Sequence, residues 1–141
     1  MPKVKSVCIS DKKGRKQAVP QINLIENLGV EGDFHAKGGD RQVSLLSSES
    51  IQEMRDKGLT LTDGAFGENI ITEGIGLISL KVGQRFFIGE AELEITKIGK
   101  ECVRRCEIFY QAGDCIMPRE GIFAKVLKGG LVLPGVKIIF Q

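Results

Sequence analysis

Histidine is nearly absent from this chain, with His35 the only one in 141 residues. A Ser-His-Asp hydrolase would have to use it, and no serine stands in the Gly-x-Ser-x-Gly elbow that such a site requires. The phosphate-binding signatures Gly-x4-Gly-Lys-[Ser/Thr] and Gly-x-Gly-x-x-Gly are missing too, which argues against nucleoside triphosphate binding. No Cys-x-x-Cys pair occurs, so a zinc knuckle or a thioredoxin-like redox site is not expected. Charge of one sign is also lacking. Twenty basic and 18 acidic residues leave a formal charge of +2, with no Lys/Arg block dense enough to track a phosphate backbone. Neither nucleic acid nor a membrane surface is an expected partner. No apolar run approaches a spanning length, and Met1-Pro-Lys-Val-Lys-Ser-Val-Cys has no hydrophobic leader core, so the expected location is the cytoplasm.

What is present suits one globular domain over residues 1–141. The chain is long enough to enclose a core without disulfides, and 18 glycines against 4 prolines imply many turns and short elements. Val4, Val7 and Ile9 predict a strand before the turn-like Asp11-Lys-Lys-Gly-Arg, with the return interrupted at Pro20. Residues 29–41, with four glycines and no period, read as a long loop, and such loops in small domains often carry function. A strand over Gln42-Val-Ser-Leu-Leu precedes a helix signalled by Ser47, Ser48 and the Ser50-x-x-Glu53 box, ending near Gly58 with Ile51 and Met54 inward. Phe66-Gly-Glu-Asn-Ile-Ile-Thr leads into a short strand. Phe86 to Thr96 predicts a hairpin with Ala91, Leu93 and Ile95 on one face. Ile122, Phe123, Val126 and Leu127 recur at helical spacing, stopped by Gly129 and Gly130, and Val136 to Phe140 reads as a last strand. Without β-α-β alternation, the expected class is mainly β: an antiparallel, barrel-like fold with two or three short helices.

Chemistry concentrates near the C-terminus. Cys102, Cys106 and Cys115 fall within fourteen residues, accompanied by Arg104, Arg105 and Arg119. A neighbouring positive charge favours the thiolate, which is both nucleophile and metal ligand; the alternative reading is three small core residues. A metal site built on these thiols would need His35 or solvent to complete it. In the loop, His35 stands beside Asp33, Lys37 and Arg41, a set able to hold an anion, or simply to fix the loop by hydrogen bonds. Glu68 and Asn69 form a polar pair among apolar neighbours, read either as ligand-orienting groups or as the satisfied bend of a barrel wall. Cys8, in an apolar run, reads as a packing residue.

Taken in order, Gly29-Val-Glu-Gly-Asp-Phe-His-Ala, Arg41-Gln-Val-Ser-Leu-Leu, Phe66-Gly-Glu-Asn-Ile, Leu80 to Thr96, Gly99-Lys-Glu-Cys and Gly113-Asp-Cys-Ile-Met-Pro-Arg-Glu-Gly resemble a stand-alone MOSC domain, the module named for the C-terminal part of molybdenum cofactor sulfurases. The resemblance runs from about residue 4 to residue 139. It implies a β-rich, barrel-like fold and a role in molybdenum cofactor (molybdopterin) metabolism, with a cysteine carrying sulfur or ligating molybdenum. Cys102 matches the Gly-Lys-x-Cys cysteine of shorter members, and Cys115 lies nearer the position used by molybdenum-ligating relatives; both stand as catalytic and metal-ligating candidates. His35, Lys37, Arg41, Asn69, Arg119 and Lys125 are the expected cofactor-binding residues, from charge and polarity rather than from a family motif. Full-length sulfurases carry pyridoxal phosphate in a separate large domain that 141 residues cannot include, so no pyridoxal phosphate site is expected here. The chain would act as a sulfur transferase with a separate cysteine desulfurase or molybdoenzyme as donor or acceptor. The alternatives are a cofactor-binding module without transfer and a structural zinc site of cysteines with His35.

Overall fold

A computed structural model describes residues 2–12, 16–34, 36–39, 42–58, 62–74, 80–98 and 121–140. Its elements are β1 (Lys3–Ile9), β2 (Gln17–Val19), β3 (Ile22–Ile25), β4 (Gly29–Val30), β5 (Val43–Ser47), α1 (Ser48–Arg55), β6 (Ile70–Glu73), β7 (Arg85–Ile88), β8 (Ala91–Ile98), β9 (Ile122–Lys128), β10 (Gly130–Val132) and β11 (Ile138–Phe140). The fold is mainly β, as expected. One eight-stranded sheet runs β11-β7-β8-β9-β5-β6-β1-β2, and a three-stranded sheet runs β10-β3-β4.

The large sheet curls without a full ladder between its ends. A single antiparallel bridge, Lys3 to Lys137, brings the chain entering β11 against β1; Val4 N–H donates to Val136 O at 2.8 Å and Gly135 N–H to Val4 O at 2.7 Å. Register then stacks an apolar belt across six strands. Ile98 pairs with Ile122, Ile122 with Leu45, Leu45 with Ile70, Ile70 with Val7 and Val7 with Val19. Ile122, Leu45, Ile70 and Val7 belong to the interior core, with Ile98 and Val19 partly buried against it, and the small sheet completes it through Ile22, Leu24, Val30 and Val132. Alternation sends the intervening residues outward into a second apolar layer of Cys8, Leu46, Ile71 and Phe123, covered by Ile51 and Met54 of α1 and by Ala65 and Phe66.

Four local readings hold and two shift. The Phe86–Thr96 hairpin forms as β7 and β8 around Gly89, whose φ of 59° suits the first position of a II′ turn. Ala91, Leu93 and Ile95 all face inward. β1 and β2 pair antiparallel. The helix begins where Ser47 and Ser48 signal it: Ser47, the last residue of β5, caps it, its Oγ accepting from Ser50 N at 3.1 Å. Residues 122–128 are strand β9, not a helix. Ile122, Ala124 and Val126 enter the interior while Phe123 enters the outer layer. With both faces buried at its start and Lys125 partly exposed beyond, the apolar spacing alone does not separate strand from helix. Finally, β5 and β6 are parallel and joined through α1, so one β-α-β connection sits inside an otherwise antiparallel sheet. Among the described residues α1 is the only helix, and no helix is long and apolar enough to cross a membrane.

Two tests follow from the packing. Gly64 has φ +91°, and a Cβ there would lie 2.2 Å from the Lys16 carbonyl oxygen, whereas Gly83, at the same φ, has open space. Gly83→Ala is expected to cost about 1–2 kcal/mol from backbone strain alone, and Gly64→Ala clearly more, in urea unfolding. Thr72, fully buried on β6, has a hydroxyl without a hydrogen-bond partner among the described residues. Thr72→Val is therefore expected to raise stability by about 1 kcal/mol, read as a higher melting temperature.

Candidate functional site

The loop that follows β4 is shaped from the first residue of that strand. Gly29 has φ +134°, and a Cβ on it would press to 2.6 Å from Gln42 O, so the chain entering and the chain leaving the loop touch at backbone level. Asp33 N–H donates to Val30 O, Ala36 N–H to Asp33 O and Gly38 N–H to Leu28 O, at 3.0, 3.1 and 3.1 Å. Phe34 N–H reaches out of the loop to Ser10 O at 2.7 Å. Lys37 places its ammonium 3.9 Å from the centre of the Phe34 ring, a cation–π contact at the exposed rim.

Beneath the loop lies a buried ion pair that the sequence did not signal. Lys16 Nζ donates to Asp33 Oδ1 at 2.7 Å and Oδ2 at 2.9 Å, and both side chains have zero exposure. Asp33 Oδ1 also accepts from Ser10 N at 3.0 Å. Asp33 was read as part of an anion-holding set; in the structure its carboxylate faces inward to a lysine. Lys16 was not singled out, since it follows Lys12, Lys13 and Arg15 and looks like one more solvated charge.

Lys16 is tied in turn to the turn before β6. Its N–H donates to Gly64 O at 2.8 Å. Glu68, with no exposure, clamps that turn by accepting from Gly64 N at 3.1 Å and Phe66 N at 3.0 Å. Burial pushes the Glu68 carboxyl up from 4.5 to about 7; the backbone N–H groups oppose this and the nearby Asp63 adds to it. Asp63 itself accepts from Ser6 Oγ at 2.6 Å and pairs with Arg55 at 3.6 Å.

Asn69, fully buried, joins three segments. Its Oδ1 accepts from Ser44 N at 3.2 Å, its N–H donates to Ser44 Oγ at 3.1 Å, and its Nδ2 donates to Cys8 O at 3.1 Å. This is the geometry of the braced barrel wall. Lys125 pairs with Glu94 at 3.4 Å, and Glu94 also meets Arg85 at 3.5 Å, in a partly exposed row of alternating charge. Cys8 packs in the outer layer with its thiol pushed up to about 12, first by burial and then by the charges of Glu68 and Asp63, against a smaller opposing effect of Lys16.

His35, Arg41, Cys102, Cys106, Cys115 and Arg119 lie outside the described residues. The described flanks place the stems of both segments. Ile98 pairs with Ile122, and Ile122 with Leu45, so β9 begins between the end of β8 and the middle of β5. The Gly29–Arg41 loop enters β5 at its other end through Gln42, whose Oε1 accepts from Val126 N at 3.0 Å and whose Nε2 donates to Gly39 O at 3.0 Å. Gln42 and Leu45 are three strand residues apart, about 10 Å. Among the described residues no three His, Cys, Asp or Glu side chains converge as a metal site.

A curled, mainly antiparallel sheet with one β-α-β connection, completed by a small second sheet, defines a small β-barrel-like domain. Residues 31–138 match the model of the MOSC domain, and the chain belongs to that family, which is generally linked to molybdenum cofactor sulfurase-like proteins. Solved structures of similar fold include the YuaD protein from Bacillus subtilis, with a TM-score of 0.80 at 22% identity, covering 100% of this chain and 98% of that one. YiiM from Geobacillus stearothermophilus aligns with a TM-score of 0.75 at 18% identity over 100% of this chain and 75% of that one. YiiM from Escherichia coli aligns with a TM-score of 0.69 at 20% identity over 99% and 69%. The sequence has no match among the curated proteins.

Glu68 supplies the pH test. Its folded value lies above the ordinary carboxyl value, so the native state binds the extra proton and stability falls as pH rises from about 4.5 to about 7, levelling above that. The fall is expected to be on the order of 3 kcal/mol. Glu68→Gln should flatten this part of the profile in urea unfolding at successive pH values; an unchanged slope would assign it to another group.

Proposed function

We propose that this protein handles sulfur for the molybdenum cofactor, with Cys102 or Cys115 as the carrier and the cofactor as the substrate to which sulfur is delivered. The observation that carries the reading is the MOSC match over residues 31–138, which spans both the Gly-Asp-Phe-His loop and the cysteine segment. The donor set suits the group. Thiolates are soft ligands that form persulfides readily, and Arg104, Arg105 and Arg119 in the same sequence run favour the ionised form. His35, Lys37, Arg41 and Arg119 are the residues assigned to the pterin and its phosphate. Asn69 and Lys125 are not drawn on, because their polar groups already brace the wall and pair with Glu94.

In the step carried by this chain, the cysteine thiolate attacks the outer sulfur of a persulfide on a donor cysteine desulfurase. A sulfur–sulfur bond forms on Cys102 or Cys115, and the donor cysteine leaves as a thiolate, so no external oxidant is consumed. Cys8 takes no part, since its thiol is buried and held un-ionised.

The test is intact and peptide mass measurement after incubation with a cysteine desulfurase and cysteine. One added sulfur is expected on Cys102 or Cys115, lost in the matching Cys→Ser variant, with Cys8 unmodified. Absence of any adduct, together with retained molybdenum in the purified protein, would replace transfer by binding alone. One tightly held zinc per chain with unfolding on chelation would replace both.

A further inference from the structure

We infer that the buried Lys16–Asp33 ion pair is a positioning device, fixing the loop on both sides of position 35 against the rigid frame, rather than a source of stability. The inference rests on the proposal that this loop meets the cofactor. Its two halves belong to different bodies. Lys16 is held by the frame, because its N–H is bonded to Gly64 O and the turn bearing Gly64 is clamped by Glu68. Asp33 belongs to the loop.

Where they meet, the geometry is over-determined. Asp33 receives two short bonds from Lys16 Nζ and a third from Ser10 N. The next residue, Phe34, donates to Ser10 O at 2.7 Å, and Ala36 donates to Asp33 O at 3.1 Å. The residues before and after position 35 are thus each tied to the same anchor. Such a pair is a poor way to gain stability. Both side chains are fully out of water, and replacing a buried pair by uncharged groups of similar shape is often neutral or favourable. What a paired, triply bonded carboxylate supplies is a fixed direction, and outer partners of this kind set the orientation of ligand-bearing groups in binding sites.

The experiment compares the full chain with Lys16→Met, Asp33→Asn and the double variant K16M/D33N, which is near-isosteric and keeps an acceptor for Ser10 N. Lys16→Met alone removes the ammonium that faces the buried carboxylate and is expected to melt well below the parent. The double variant is expected to melt close to the parent. Its loop should nonetheless be loosened, with brief tryptic cleavage after Lys37 faster by about tenfold or more, since cleavage follows the population of opened loop. Binding of molybdenum cofactor released from a molybdoenzyme is expected to weaken by roughly ten- to a hundredfold. A double variant with parental cleavage and parental cofactor binding would overturn the inference, as would one that does not fold. If the parent itself takes up no cofactor, the proposed function falls, and the cleavage rate at Lys37 decides this inference by itself.

Discussion

The constraint on which the structure depends is the two-sided burial of its central strand. β5 is buried at every position, with Val43 and Leu45 in the interior core and Leu46 in the outer layer beneath α1. A strand with no face toward water must have its polar groups satisfied by protein. Ser44, the one polar residue in the middle of β5, meets this by donating its hydroxyl to Gly67 O at 3.0 Å and its N–H to Asn69. Asn69 then carries the bonding on to β1 through Cys8 O, while Cys8 N–H donates to Asn69 O at 2.7 Å. One amide and one hydroxyl hold β1, β5 and β6 in register. A slip of one residue would turn the interior belt outward.

Register explains why part of the fold was legible in the sequence and part was not. The β7–β8 hairpin and the Ser47 cap are local features whose cues lie within a dozen residues, and these could be read. β9 could not, because its apolar run answers to two layers contributed by residues far away in the chain. The parallel β5–β6 pair was hidden for a related reason: a single β-α-β connection leaves no alternating pattern. The buried ion pair joins residues 17 positions apart, and only the fold distinguishes Lys16 from the exposed basic residues near it. Of the candidate site, the sequence identified the loop and offered for Glu68 and Asn69 the wall-satisfying role that they have, but not the inward-facing role of Asp33, which depends on what packs against it.

Two buried carboxylates in one neighbourhood are handled in different ways. Asp33 has a lysine at hydrogen-bonding distance, whereas Glu68 has backbone N–H groups and, among the described residues, no cationic partner. Dipoles from two amides offset less of the desolvation cost than a full opposite charge does, so Glu68 holds its proton toward neutral pH. Cys8 lies in the same field. Its thiol is held un-ionised partly by the charges of Glu68 and Asp63, which makes the outer layer a poor environment for thiolate chemistry.

That leaves a division of labour grounded in electrostatics. A thiolate nucleophile needs positive surroundings, and the frame around Cys8 supplies burial and negative charge instead. The cysteine-rich run carries Arg104, Arg105 and Arg119, and it is an insertion between β8 and β9, whose pairing is already set at Ile98 and Ile122. The Gly-Asp-Phe-His loop is likewise an insertion, between β4 and β5, tied to the frame at a few points. The strands that flank both segments are paired through described residues on either side of them. Gln42, at the entry to β5, and Ile122, at the start of β9, are thus held at one strand that cannot move without unpacking both cores.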